Sequence, residues 1–185
     1  MKGESFVIYT IGHSTRELPV FLKLLQGYGI KQLVDVRTIP RSRKNPQYNT
    51  ETLPQALGAS GIRYVHLPAL GGLRRAVRDS INTGWRNASF RGFADYMQGA
   101  EFEKGLEQLI VLGSAYPTAI MCAEAVPWRC HRSLIADSLT VQGARVTHIF
   151  TPGRIREHTL TSFARVEGFR ITYPDSPRME TTRDR

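Results

Sequence analysis

The sequence predicts an α/β protein, a single three-layer domain in which a mostly parallel sheet of about five strands carries helices on both faces. Short β-branched runs alternate with segments of helical periodicity, which is the pattern of consecutive βαβ units. The β-branched runs are short and mostly apolar, which favours a parallel sheet covered by helices on both faces. A chain of 185 residues with 41% hydrophobic residues is long enough to bury one sizeable core.

Five segments have the composition of buried strands, and turns or helical segments separate them. They are residues 5–11, 32–36, 62–67, 118–122 and 145–150. Because parallel strands all end at the same edge of a sheet, we expect the residues that follow them to meet at one rim.

Helical periodicity predicts helices between these strands. The helical segments are residues 18–28, a short helix from 52 that ends near Gly58 or Gly61, and residues 90–98, 101–112 and 127–141. Ser14 with Glu17, and Thr52 with Gln55, have the spacing of capping boxes that begin helices. Pro127 suits the first turn of the last helix.

The periodic pattern assigns residues 1–155 to a core domain. Within it, residues 68–89 have no clear periodicity and carry several arginines, so we interpret them as a basic loop insertion. After residue 155 the pattern weakens, and we interpret residues 156–185 as a C-terminal extension or a loose tail.

The composition favours a cytoplasmic protein with no membrane partner. No apolar run approaches the roughly 18 residues of a membrane helix, and the N-terminus lacks the features of a signal peptide. Two cysteines are too few for a disulfide framework, which favours a reducing compartment. The sequence assigns no cofactor and leaves the oligomeric state open.

Positive charge is concentrated in one part of the chain. The net charge is +9, and residues 37–91 hold ten basic and two acidic residues, which accounts for +8 of it. A basic region this confined predicts an anionic ligand, such as a nucleotide or a nucleic acid. The alternative is a solvated basic face with no ligand.

The densest group of reactive side chains lies between the fourth strand and the last helix. Its candidate catalytic residues are Cys122, Glu124, Cys130, His131 and Arg132. A cysteine near arginines and a helix N-terminus should have a lowered pKa, so Cys122 is a candidate nucleophile. His131 would act as general acid or base, with Glu124 orienting it or moving a proton.

Two alternatives compete with a catalytic interpretation of this group. Each cysteine taken alone fits a buried packing residue. A zinc site from Cys122, Cys130 and His131 with Glu124 is also conceivable, but Cys-x7-Cys-His is an unusual zinc spacing. Adjacent residues of a helix also point in different directions. We therefore assign no metal from the sequence.

Residues at the ends of other predicted strands and in nearby loops are candidate anion- or substrate-binding residues. They are Gly12, His13, Ser14, Asp35, Arg37, Tyr48, Asn49, Gly71 and Gly72. The backbone N–H groups of the turn at residues 12–14 would hold a phosphate, or the turn is only a helix cap. Arg37 either clamps an anion or pairs with Asp35. Tyr48 either stacks on a base or anchors its loop.

Four motifs together resemble the domain of unknown function 488 family. They are IYTIGHSTR, LVDVRTIPRSRKNPQYN, GIRYVHLPALGG and MCAEAVPWRCHRSLIADSL, and the similarity runs from about Phe6 to Ile149. The resemblance implies an intracellular prokaryotic α/β protein with no settled reaction. Its characteristic residues include all the candidate residues named above except Gly12. Cys122 between a strand and a helix is also similar, more faintly, to rhodanese-type sulfurtransferases and cysteine phosphatases.

Three functions fit these observations. The first is a hydrolase or transferase that acts on an anionic substrate, a nucleotide or nucleic acid, at the carboxyl-terminal rim of the sheet. The second is a non-catalytic nucleic-acid-binding module that depends on Arg41, Arg43, Arg74 and Arg75. The third is a redox or metal-sensing protein that uses the two thiols.

Overall fold

A six-stranded sheet forms the centre of the computed structural model, which describes residues 6–175. Its strands are β1 (Val7–Gly12), β2 (Gln32–Asp35), β3 (Arg63–His66), β4 (Thr118–Cys122), β5 (Arg145–Thr151) and β6 (Arg154–Glu157). The spatial order is β3-β2-β4-β1-β5-β6. The first five strands are parallel, and β6 pairs antiparallel with β5. The predicted α/β class with a mostly parallel sheet is confirmed, and β6 is a sixth strand beyond the five expected.

Helices cover both faces of the sheet. They are α1 (Leu18–Gly27), α2 (Leu53–Ala59), α3 (Ala88–Tyr96), α4 (Ala100–Ala115) and α5 (Arg132–Val141). One core cluster packs α1 and α2 against the sheet, with Phe21 and Leu57 close to Met121. The other core cluster packs α3, α4 and α5 against the sheet and includes Leu134 and Ile120. Ile120 and Met121 serve opposite cores because neighbouring strand residues point to opposite faces.

The helix N-termini differ from the predicted capping boxes. Helix α1 begins after Glu17 with no side-chain cap, and Ser14 has a positive φ of 52°. Thr52 precedes α2, but its hydroxyl donates to the carbonyl of Pro46 and caps no helix N–H. In both places tertiary contacts fix the loop that enters the helix, so the local sequence spacing is a poor guide.

The last helix begins five residues later than expected. Pro127–Arg129 forms a short 3-10 turn, Cys130 is extended with φ −139° and ψ 143°, and α5 starts at Arg132. The proline therefore begins the turn and not the helix. This placement leaves Cys130 and His131 ahead of α5 in irregular backbone, which matters for the site below.

The loop insertion has little regular structure, as its aperiodic sequence suggested. After a 3-10 turn at Pro68–Leu70 the chain is irregular until Asn87, whose side chain accepts hydrogen bonds at the start of α3. Trp85 anchors this loop by packing against Phe90, Phe163 and Tyr173.

The segment after residue 155 packs on the core as far as the described residues extend. It contains β6 and an antiparallel hairpin of β7 (Arg165–Glu167) and β8 (Arg170–Thr172). Tyr173 is fully buried, and its hydroxyl donates to Asp137 at 2.8 Å. Part of the expected extension or loose tail is thus integral to the core, and residues 176–185 lie outside the described residues. Among residues 6–175, no helix is long and apolar enough to cross a membrane.

We predict that Tyr173→Ala destabilises the fold by about 3–5 kcal/mol, because it removes a fully buried aromatic side chain and leaves a cavity. Phe169→Ala in the same hairpin is the matched control, since its side chain is 71% exposed and should cost no more than about 0.5 kcal/mol. Chemical denaturation of both variants checks this. Equal effects would mean that the hairpin does not pack on the core as described.

Candidate functional site

A cavity of about 670 Å³ lies where β1, β2 and β4 end, at the carboxyl edge of the sheet. This is where ligands bind in open parallel sheets. Eight of the candidate residues line it, namely His13, Ser14, Arg37, Gly72, Cys122, Glu124, Cys130 and His131. The other candidates lie behind or beside these residues.

Two thiols and an imidazole form the floor of the cavity. The Nδ1 atom of His131 lies 4.0 Å from Sγ of Cys122 and 3.8 Å from Sγ of Cys130. The Nε2 atom lies 3.1 Å from the carbonyl oxygen of Val36. A carbonyl only accepts hydrogen bonds, so Nε2 carries a proton and donates it. In the neutral ring, Nδ1 therefore presents its lone pair to both sulfurs.

The two thiols differ in their tendency to ionise. The pKa of Cys122 is raised well above its usual value by a hydrogen bond to Cys130 and by burial. Burial opposes ionisation of Cys130 as well, but the hydrogen bond with Cys122 and the charge of the Arg132 guanidinium bring its pKa well below the usual value. The expectation of a lowered pKa at Cys122 is thus wrong, because its hydrogen bond to Cys130 and its burial both disfavour the thiolate. Nε of Arg132 donates to the Cys130 sulfur, at 3.4 Å.

Arg132 is a buried cation beneath the floor, 1% exposed. Its other donors reach the carbonyl oxygen of Glu124 at 2.6 Å and the hydroxyl of Thr10 at 3.2 Å. Gly12 makes this possible, because a Cβ there would lie 1.8 Å from the Glu124 carbonyl oxygen. Within residues 6–175 no carboxylate hydrogen-bonds to the guanidinium, so the Cys130 sulfur is its one acceptor that can carry negative charge.

A chain of buried hydrogen bonds continues from Arg132 to Asp137. Thr10 contacts Nδ1 of His148 at 2.8 Å, Nε2 of His148 contacts Nδ1 of His158 at 3.0 Å, and Nε2 of His158 contacts Asp137 at 2.8 Å. The Asp137 carboxylate accepts, which makes each neutral imidazole a donor on the Asp137 side and an acceptor on the other. All the bonds therefore run in one direction, from the cation to the carboxylate.

Glu124 does not orient His131. Its side chain is exposed at the rim of the cavity, and no described residue hydrogen-bonds to its carboxylate. The carbonyl of Val36 holds the imidazole in its place. Glu124 contributes to the floor through its backbone carbonyl, and its carboxylate is available to a ligand at the rim.

Asp35 and Arg37 pair with each other, one of the two alternatives for these residues. Nε and Nη2 of Arg37 reach the Asp35 carboxylate at 2.9 and 2.5 Å, and Nη2 also donates to the carbonyl of Tyr48. The remaining nitrogen, Nη1, lies 3.3 Å from Nε2 of His13. Burial is the main cause that lowers the pKa of His13 to about 4. Its neutral ring therefore accepts from Arg37 and stacks on Tyr48, with 4.1 Å between ring centroids.

The turn at residues 12–14 does not offer free amides to a phosphate. The N–H groups of His13 and Ser14 donate to the carbonyls of Cys122 and Ala123, at 3.0 and 2.9 Å. Helix α1 begins only at Leu18, so its N-terminus is not at this turn. The expected phosphate cradle is therefore wrong, although the His13 and Ser14 side chains still line the cavity.

Tyr48 and Asn49 hold the loop in place and do not line the cavity. Tyr48 is fully buried, and its hydroxyl donates to the carbonyl of Arg16 at 3.0 Å. The amide oxygen of Asn49 accepts from the N–H of Ser42 at 2.7 Å. Stacking of Tyr48 on a nucleic-acid base is incompatible with this burial.

Gly71 and Gly72 allow the loop insertion, residues 68–89, to pack closely against the site. A Cβ at Gly71 would lie 2.5 Å from the hydroxyl of Thr38, and a Cβ at Gly72 would lie 2.4 Å from Nδ1 of His131. No other residue could be accommodated at Gly72 without a shift of the imidazole or the loop. Gly72 is thus a part of the pocket that shapes the surroundings of His131.

Arg129 is a cavity residue to which the sequence analysis gave no role. It is exposed, lines the cavity, and donates to no described acceptor. Arg41 also lines the cavity but pairs with Glu51. The signal for Arg129 was its position inside the Cys-His segment, but only the structure distinguishes an arginine that faces the cavity from one that is already paired.

The fold and the cavity define a class, an α/β protein with a thiol- and arginine-lined pocket at the carboxyl edge of a parallel sheet. The chain belongs to the family described as Domain of unknown function DUF488, whose sequence profile matches residues 17–139. This confirms the resemblance over a shorter range than the motifs suggested. No curated protein and no solved structure matches the chain.

We predict that His148→Gln makes stability less dependent on pH. Burial, and then the neighbouring His158, lower the pKa of His148 to about 3. The unfolded chain takes up this proton near pH 6.5, so the folded state loses stability as the pH falls from about 6.5 towards 3. The slope of unfolding free energy between pH 6 and 5 should decrease by about 1 kcal/mol per pH unit in the variant.

Denaturant unfolding at several pH values measures this slope. The slope does not depend on how much the substitution lowers the free energy of unfolding at pH 7. An unchanged slope would show that His148 takes up its proton equally in both states.

Proposed function

We propose that this chain is an enzyme, a hydrolase or transferase, which acts on an anionic substrate of the nucleotide class in the cavity at the carboxyl edge of the sheet. One observation carries the proposal. Cationic side chains line the same cavity as two thiols and an imidazole that presents a lone pair. Perturbed groups gathered in one cleft are typical of catalytic sites.

The charges of the cavity favour an anion. Arg129 faces it without a described partner, Arg37 lines it but is paired with Asp35, and Glu124 is the carboxylate at its rim. Arg129 would bind the anionic group, because it is the cavity arginine that donates to no described acceptor.

The shape and apolar rim favour a nucleotide over a small inorganic anion. The volume is in the range of small-molecule sites, and Ile39 and Leu73 line the cavity with 64% and 74% of their surfaces exposed. A flat base fits between such side chains, with its phosphate directed to Arg129. A mononucleotide and the end of a single strand share this chemistry.

A purely nucleic-acid-binding function has less support. Of the four arginines on which it depends, Arg41 pairs with Glu51 and Arg74 lies over the ring of Tyr96. Arg74 also donates to the carbonyls of Gly71 and Pro68. Both guanidinium groups would have to give up these contacts to bind phosphates, although the exposed Arg41–Glu51 pair is the weaker of the two contacts.

We predict that Arg129→Gln weakens binding of a nucleoside monophosphate at least about tenfold, because it removes a charge-assisted hydrogen bond. Arg145→Gln is the matched control. Arg145 is also exposed, but it begins β5 at the opposite edge of the sheet, so binding should change less than about twofold. Isothermal titration calorimetry at constant ionic strength compares the two. Equal losses would indicate a diffuse electrostatic effect and no defined site.

Catalysis is tested by incubating the protein with nucleoside phosphates, cyclic nucleotides and short single strands, with products detected by mass spectrometry. We expect one of these classes to be converted and the conversion to be lost in His131→Gln while Arg129-dependent binding persists. Binding without conversion across all classes would instead support a non-catalytic binding module.

A further inference from the structure

We propose that Cys122, Cys130 and His131 bind a zinc ion through the two sulfurs and Nδ1, with the fourth coordination position open to the cavity. The inference rests on the proposed function, because it names the reactive centre of the same site. The three ligand atoms lie within 4.8 Å of one another.

The two sulfur–nitrogen separations are close to those that zinc requires, and the two sulfurs lie within 4.8 Å of each other. Bonds of about 2.3 Å to sulfur and about 2.05 Å to nitrogen, at tetrahedral angles, place sulfur about 3.6 Å from nitrogen and about 3.8 Å from a second sulfur. The observed distances from Nδ1 of His131 are 4.0 Å to Cys122 and 3.8 Å to Cys130. Shifts of a few tenths of an ångström would bring both sulfur–nitrogen distances to these values.

The imidazole is held in the tautomer that a metal needs. The carbonyl of Val36 accepts the Nε2 proton at 3.1 Å and leaves the Nδ1 lone pair directed towards both sulfurs. A backbone carbonyl in this position is the usual outer partner of a zinc-bound histidine. Gly72 packs against the imidazole, and the ring centroid of Phe93 lies 5.0 Å from that of His131. The imidazole therefore has little freedom to turn.

The backbone explains how adjacent residues converge on one point. Cys130 is extended, and His131 precedes the first turn of α5, so the two side chains do not follow helical directions. One of the two sequence-based arguments against a zinc site, the divergent directions of adjacent residues, assumed a helix from residue 127. The helix begins at Arg132, so this argument does not apply to Cys130 and His131.

The charges around the three ligands suit a dication. Two thiolates neutralise Zn²⁺, and Nε of Arg132 donates to the Cys130 sulfur at 3.4 Å, which favours its anionic form. All three ligand residues line the cavity that holds Arg129. Three protein ligands with an open position are typical of catalytic zinc, whereas structural zinc is closed by four. The open position would take water or an oxygen atom of the anionic substrate.

Cobalt and zinc titrations of the full-length chain, reduced and stripped of metal, test this site directly. We expect one equivalent of Co²⁺ to give intense visible bands of tetrahedral coordination and a thiolate-to-cobalt charge-transfer band, and one equivalent of Zn²⁺ to displace it. An octahedral spectrum, or one without the thiolate band, would overturn the proposal. The proposal would also be overturned if the protein took up no cobalt and mild oxidation joined Cys122 and Cys130 in a disulfide.

Variants assign the ligands. Cys122→Ser, Cys130→Ser and His131→Gln should each weaken zinc binding by more than about 100-fold, which exceeds the usual effect of an outer-shell change. Gly72→Ala keeps all three ligands but would displace the imidazole, and should weaken binding about 10–100-fold. Glu124→Gln is the control, and zinc affinity should stay within about twofold because the fourth position is open. A larger loss would make Glu124 the fourth ligand and overturn the open position. Retention of full affinity in the three ligand variants would overturn the assignment.

The failure of this inference is distinguishable from the failure of the proposed function. If the protein binds zinc but its nucleotide binding does not depend on Arg129, the proposed metal site stands and the proposed function fails. Conversion of a nucleotide by a protein that binds neither cobalt nor zinc in these titrations would leave the function and remove the metal site.

Discussion

The buried guanidinium of Arg132 is the interaction on which the rest of the site depends. A cation this deep is very costly unless its donors are all satisfied and its charge is compensated. The chain satisfies it with the Cys130 sulfur and the Glu124 carbonyl, both in the loop between β4 and α5, and with the Thr10 hydroxyl in β1. Each of these groups is thereby fixed relative to the others. The loop between β4 and α5 is held on the end of β1 by this one side chain.

The hydrogen bonds that connect the Arg132 cation to a carboxylate extend through the core to the segment after residue 155. Asp137 lies at the far end of the chain of bonds through His148 and His158, and it also accepts from Thr161 and Tyr173. Because every bond in the chain has the same direction, reversal of one proton would leave two donors or two acceptors facing each other. The packing of the segment after residue 155 and the geometry of the cavity floor are therefore coupled.

The order of strands and helices was predictable, but the partners of the buried charges were not. Strands such as Thr118–Cys122 are mostly apolar and lie between helical segments, so local composition identified them. The parallel topology then placed Cys122, His13 and Arg37 at one edge. The start of α5 was misplaced because Pro127 fits a 3-10 turn as well as a helix. The contacts of Arg132 reach residues up to 122 positions away, and no local pattern contains that information.

The arginines illustrate why net charge is a weak guide to a binding site. The excess of positive charge lies in residues 37–91, yet Arg37, Arg41 and Arg74 in that region are occupied by a carboxylate or an aromatic ring. A guanidinium that is already paired gains little from a ligand, because the ligand must compete with the partner it would replace. Arg129 lies outside the basic region and faces the cavity with no described acceptor. The electrostatics of the pocket thus depend on which arginine lacks a partner, and not on how many arginines lie nearby.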